Sequence, residues 1–434
     1  MKTIRNLFIS LLLFLPLWSL AGNEVVIQGR VNEPHALMRL MVYDDLLNMH
    51  ETNIAESVAD DKGFFTLEGQ IDKIVPAAVH VELESVDFVL TPGATYEVSI
   101  ILPDNDPALS YFERPQPTLK VRKASDGGLY RQLVVSEMII DDYVLNYFDQ
   151  LYQRRQYRYL DSIRSAIDRE LNITIPYVLQ SNDYKIASVQ MAVNADGGQK
   201  VIREYYDGKP VLYDCLPYME LFKDLFKNYE ITDEFRRRNP QLAELVTLYQ
   251  LRTAYNNEIP RLRGGIRKQI QSVKDKSKCT ETKRIVTNML DRFDRFAPGA
   301  PAVDFALSDA MNDIVKLSDY KNKVVVLQFV EGTSRTVEHQ FDVLADLHRQ
   351  WQDHVQLITI TTKDQWANHR KRFEEKHYDW PLLNLGNEIL LLEQYEVRTF
   401  PEYFIINKGT KIGMAPAPSP DQTLDEYVRG ICGI

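Results

Sequence analysis

Residues 316–351 constrain this chain more than any other stretch. A polar turn, KLSDYKNK, leads into Val324–Val330, which is apolar at every position except Gln328. A strand with no polar face must be covered on both sides, and a sheet with helices packed on both faces provides that cover. A short loop, EGTSRT, follows. Apolar residues then recur at the helical period, at Val337, Phe341, Leu344 and Leu347. Strand, loop and helix in that order predict an α/β unit. The loop lies at the carboxyl end of the strand, where open α/β sheets carry their chemistry. It contains no cysteine, no histidine and no glycine-rich phosphate cradle.

The pattern extends from residue 297 to the end. VQLITITT is a second buried strand, DQWANHRKRFEEKH a second helix, EYFIIN a third strand and LDEYVRGI a last helix. This alternation predicts a mainly parallel sheet with helices on both faces. Upstream the periodicity is different. Residues 22–103 hold short strands separated by turns, among them EVVIQGRV, GFFTLEGQI and TYEVSIIL, which predict an all-β sandwich. Residues 104–128 read as a linker that begins rich in proline and polar residues. Residues 129–296 carry apolar positions at helical spacing and predict an all-α region. A chain of 434 residues exceeds one ordinary core, consistent with a multi-domain protein.

The first 21 residues have the form of a signal peptide, with Lys2 and Arg5, an apolar run over 7–17, and Ser19-Leu20-Ala21 before the expected cleavage. With no cysteine there to accept a lipid, the expectation is a periplasmic protein with no integral membrane segment once the leader is removed. A net charge of −10 argues against nucleic acid as a partner. The tyrosine- and arginine-rich run over 152–159 therefore reads as packed helix surface. Cys215, Cys279 and Cys432 form no Cys-x-x-Cys pair, which excludes zinc-finger and redox-dithiol patterns. An oxidising compartment permits a Cys215–Cys279 bridge, and three inert thiols fit equally well. Glu331, Glu338, His339 and Asp342 are of metal-ligand type but lack ligand spacing. His348, His354, His369 and His377 read as solvated surface histidines. No metal and no cofactor is expected.

APAVDFALSD…KLSDYKNKVVVLQF resembles the opening of the TlpA/ResA-like secreted thioredoxins, within the peroxiredoxin–thioredoxin (AhpC/TSA-like) group. YEVRTFPEYFIIN, at 395–407, is similar to their second conserved block and places Pro401 at the family's cis-proline. The amino-terminal strands resemble the β-sandwich that such proteins of Bacteroidetes carry. The resemblance implies a thioredoxin-like fold over 297–434 and thiol–disulfide exchange through Trp-Cys-x-x-Cys at the start of the helix. Laid over that motif, FVEGTSRTVEH puts Thr333 at the tryptophan, Ser334 at the attacking cysteine and Val337 at the resolving one. Exchange needs a thiolate and a second thiol, so it cannot run through serine and valine.

Ser334 is instead expected to cap the helix, with Glu338 in its first turn, because a hydroxyl without an adjacent base is inert. Phe400 precedes Pro401 where the family has a small or β-branched residue. The candidate site is therefore a binding site built on degenerate positions, namely Thr333, Ser334, Val337, Phe400 and Pro401, with no catalytic residue. The expected function is non-catalytic binding of a protein or peptide in the periplasm, or a structural role. The alternative is residual oxidoreductase chemistry through Cys432 or Cys279.

Overall fold

The computed structural model of the chain describes residues 22–82, 84–103, 115–193, 198–257, 260–351, 354–397 and 399–433. The expected leader and part of the 104–128 stretch lie outside the described residues. Eight strands come first: β1 (Glu24–Val31), β2 (Leu37–Asp45), β3 (His50–Val58), β4 (Phe64–Gln70), β5 (Val75–Val81), β6 (Glu84–Leu90), β7 (Thr95–Ile101) and β8 (Thr118–Ala124). They form two sheets, ordered β4-β1-β7-β8 and β3-β2-β5-β6. Ile27, Leu67 and Tyr96 from one sheet meet Leu40, Val79 and Phe88 from the other in a single core. This is the expected sandwich.

Two strands differ from the sequence reading. β3 is exposed or half-exposed along its whole length, so it has no apolar alternation to reveal it. β8 lies in the stretch read as linker, yet it pairs antiparallel with β7, and Leu119 and Val121 pack on the core. Its charged Lys120, Arg122 and Lys123 hide an edge strand, where charge on the open side discourages further pairing.

The helical region comprises α1 (Leu129–Asn146), α2 (Arg158–Glu170), α3 (Pro176–Val193), α4 (Gln199–Val201), α5 (Leu216–Phe226), α6 (Asp233–Arg238), α7 (Pro240–Asn257), α8 (Pro260–Lys276) and α9 (Thr280–Arg295). The 152–159 run is not one helix. It contains Arg155 at φ 50°, in the left-handed region that breaks α-helical continuity, and α2 starts afresh after it. The Tyr147 and Tyr159 rings meet at a tilt, centroids 4.9 Å apart, and pack on a small core around Ile163. The larger core, around Phe222, Val246 and Val286, also takes in Tyr43, Leu46, Leu47 and Ala78 of the sandwich. At that seam the buried Asp45 accepts the Leu47 and Asn48 amides at 3.0 and 3.1 Å, and Asn48 donates to the Ile285 carbonyl at 3.1 Å. Sandwich and helices thus share one interior.

The last region holds β9 (Ala306–Asp309), β10 (Ile314–Lys316), β11 (Val324–Val330), α10 (Arg335–Trp351), β12 (Val355–Thr361), α11 (Trp366–Lys376), β13 (Leu382–Asn384), α12 (Leu390–Gln394), β14 (Glu402–Asn407), β15 (Lys411–Ala417) and α13 (Leu424–Cys432). The sheet order is β10-β9-β13-β12-β11-β14-β15. It is mixed rather than mainly parallel. β13, β12 and β11 run parallel, and the flanking pairs are antiparallel. Only the β11–α10–β12–α11–β13 span has the crossover helices that parallel pairing requires. All seven residues of β11 are buried. Val324, Val326 and Val330 face a core shared with α10 and α13, while Val325, Leu327 and Phe329 face the opposite core with α12.

Candidate functional site

β11 ends at Val330, and Gly332 turns the chain at φ 75°, a left-handed conformation that glycine adopts without Cβ strain. Ser334 then precedes the first turn of α10. Its Oγ accepts the Val337 amide at 3.4 Å, and its carbonyl accepts the Glu338 amide at 3.0 Å. Ser334 is therefore the N-cap, satisfying one of the amides that a helix start leaves open. Val337 points inward and is 3% exposed. The bases nearest in sequence serve elsewhere. Glu338 pairs with Arg372 at 3.2 Å, and His339 is exposed on the helix. No carboxylate or imidazole hydrogen bonds to Ser334 Oγ among the described residues.

The Phe400–Pro401 peptide bond is cis, as the sequence comparison with secreted thioredoxins implies. Its position follows from register. Phe329 of β11 pairs with Glu402 of β14, so continuing the two strands brings Val330 level with Pro401 and Glu331 level with Phe400. The structure therefore brings the five predicted positions to one end of the sheet. Thr333, Ser334, Phe400 and Pro401 are half-buried there, and Val337 lies in the core beneath.

His369 is the functional-site neighbour that the sequence reading missed. It was expected on the surface, yet it is 1% exposed. Nε2 donates to the Gly332 carbonyl at 2.7 Å, and Nδ1 accepts the Thr361 hydroxyl at 2.6 Å. The imidazole pins the EGTSRT loop to α11 and β12. The clue in the sequence was position: His369 stands on α11 one turn before Phe373, and both are buried. Burial holds its pKa below the usual histidine value. The folded protein thus refuses a proton that the unfolded chain accepts below about pH 6.5. Its stabilising contribution is present above that pH and is lost as pH falls. His50 acts in the opposite sense, because its bond to Asp44 raises its pKa. Comparing melting temperatures of wild type and His369→Gln at pH 7.5 and 5.5 isolates the term. The variant should lose less on acidification; equal losses would refute it.

The thiols offer no substitute dithiol. All three cysteines are free. Cys215 is buried in the helical core, and its pKa is pushed up to about 11. Cys279 lies against Tyr213 and Glu281. Burial also raises Cys432, away from thiolate. No group of three or more metal-ligating side chains is present among the described residues. Nor is any described helix long and apolar enough to cross a membrane.

A three-stranded parallel centre, antiparallel flanks and a cis-proline level with the end of β11 define a thioredoxin-like domain. The AhpC/TSA family matches residues 298–414, which lie within the carboxyl-terminal region. A thiol:disulfide interchange protein from Bacteroides sp. is similar at 20% identity and TM-score 0.29, over 32% of this chain and 92% of that one. The thioredoxin domain of a thiol-disulfide oxidoreductase from Bacteroides vulgatus is similar at 22% identity and TM-score 0.28, over 31% and 98%. A thiol:disulfide interchange protein from Chlorobium tepidum is similar at 14% identity and TM-score 0.28, over 32% and 99%. Among curated proteins there is no match.

Proposed function

We propose that this chain is an exported thioredoxin-fold protein that binds a protein or peptide in the periplasm and carries out no thiol–disulfide exchange. One observation carries the reading: at the attacking-sulfur position Ser334 Oγ caps α10, and at the resolving position Val337 is core. The frame that holds an exchange site is kept while the sulfurs are absent. What remains at that end of the sheet is the Phe400–Pro401 edge, suited to an extended chain by backbone pairing. The sandwich and the helical region flank the domain, with the ion pairs of Arg39 with Glu393 and of Arg292 with Glu396 at the seam.

Two measurements test this. With dithiothreitol as reductant, residues 22–434 should reduce insulin no faster than the uncatalysed background. Turnover that disappears in Cys432→Ser would overturn the non-catalytic reading. Used as bait on a periplasmic extract, the wild type should retain a polypeptide that Pro401→Ala loses; identical sets of bound proteins would count against the edge.

A further inference from the structure

A cleft of about 490 Å³ opens where the three regions meet. One wall is the sandwich, with Arg39, Met41 and His80; another is the end of α9. The third is made by Leu392, Glu393, Glu396, Val397 and Phe400, the last immediately before the cis-proline. The volume suits a small ligand or a few residues of peptide, and domain junctions are common places for such sites.

At its base lies Arg39, 2% exposed, on a central strand of its sheet. A buried guanidinium needs a carboxylate, and its fork matches two oxygens at once. In this structure it has one bond of that kind: Nη1 donates to Glu393 Oε1 of α12, while Nε is buried with no hydrogen-bond partner among the described residues. The two partners are unequal. The Arg39 side chain is 3% exposed and that of Glu393 is 41% exposed. Glu393 can be released to water at little cost, but Arg39 cannot. His80, opposite Arg39 in the sheet register, lies 3.4 Å from Glu51 and 3.9 Å from Glu393. Of the other carboxylates, Glu396 pairs with Arg292 and Arg295, and Glu82 accepts the Leu37 amide. An incoming carboxylate that replaces Glu393 on Arg39 therefore leaves the charge at the guanidinium unchanged. Leu392, Val397 and Phe400 give the same cleft an apolar wall.

We infer that this cleft is a binding site for a peptide bearing a carboxylate beside an apolar residue, with Arg39 as its anchor. Glu393 is a built-in competitor that occupies the guanidinium in the free protein. The inference rests on the peptide-binding reading above and adds to it a chemical class and an anchor outside the thioredoxin-like domain.

Calorimetry on residues 22–434 with acetyl-Phe-Ala-Glu-amide and acetyl-Phe-Ala-Gln-amide tests it. The glutamate peptide should bind at least about tenfold more tightly, the worth of a charge-assisted hydrogen bond. Glu393→Gln should strengthen its binding by about threefold or more, because the competent state is no longer blocked. Arg39→Met should abolish the preference for glutamate. Equal binding of the two peptides, binding of neither, or no gain in Glu393→Gln would overturn the inference. Equal binding that Phe400→Ala weakens would overturn the carboxylate anchor and leave the edge reading standing. The Glu393→Gln gain cannot come from misfolding, so the test survives even if the Arg39 variant is unstable.

Discussion

Replacing Ser334 and Val337 together by cysteine is expected to raise insulin-reducing turnover measurably above that of the wild type. The two positions are one helical turn apart, at the N-cap and third residue of α10, and the Ser334 side chain already takes the Val337 amide. A thiol at a helix amino terminus is stabilised as thiolate by the open amides and the helix dipole. Lowering a thiol pKa from about 8.5 to about 7 raises the thiolate fraction at neutral pH roughly fifteenfold. Val337 is 3% exposed, so its replacement places the resolving sulfur in a dry pocket and not in solvent. The double variant should also form a reversible disulfide, read by mass as the loss of two hydrogens. Ser334→Cys alone should trap mixed disulfides without turnover. If the double variant forms its disulfide but reduces nothing, then two sulfurs at these positions are not sufficient for exchange.

The second large effect lies beneath the site. Gln328 is fully buried, on the β11 face otherwise made by Val324, Val326 and Val330. Its neighbours in register are Thr359 on β12 and Tyr403 on β14. These three, with Trp380 and Gln340, form a chain of hydrogen bonds running in one direction. Trp380 donates to Thr359 at 3.0 Å, Thr359 to Gln328 at 2.9 Å, and Gln328 to Tyr403 at 3.0 Å. Tyr403 then donates to Gln340 at 2.9 Å, and Gln340 to Asp421 at 3.2 Å. Burial raises the Tyr403 pKa, so its hydroxyl keeps the proton it donates.

Gln328→Leu leaves two buried hydroxyls short of a partner and should destabilise the domain by about 2–5 kcal/mol. Outside the first 21 residues the tryptophans are Trp351, Trp366 and Trp380, all in this domain. Tryptophan fluorescence during urea unfolding of residues 22–434 therefore follows it directly. Adding Thr359→Val and Tyr403→Phe passes the deficit on to the Trp380 indole N–H and to Gln340, so no recovery is expected. Equal stability of Gln328→Leu and wild type would mean that the network is not a unit.

Where burial follows from periodicity, the chain was legible. β11 spans Val324–Val330, and α10 buries Val337, Phe341, Leu344 and Leu347, as their spacing requires. The candidate positions follow the block at 316–329 or lie within the block at 395–407, and the fold sets them at one end of the sheet. Elements with little apolar content were not legible. β3 and β8 are held largely by a neighbour's backbone, and the short apolar face of β8, Leu119 and Val121, is set among charged residues. His369 looked like a surface residue because a polar side chain in a charged helix carries no mark of burial; its partners, Gly332 and Thr361, are distant in sequence.

By itself the sequence determined the three kinds of region, the turn from strand into helix at EGTSRT, and a start of that helix made without cysteine. These follow from local pattern and residue identity, which do not depend on what packs nearby. Only the tertiary structure decided which polar groups work together. Gln328 meets Tyr403 through strand register. His369 reaches the loop through helix placement. Arg39 and Glu393, 354 residues apart, meet because a sandwich packs against a thioredoxin-like domain. A buried polar side chain must be satisfied somewhere, but its partner comes from the fold and is written in no local stretch of chain.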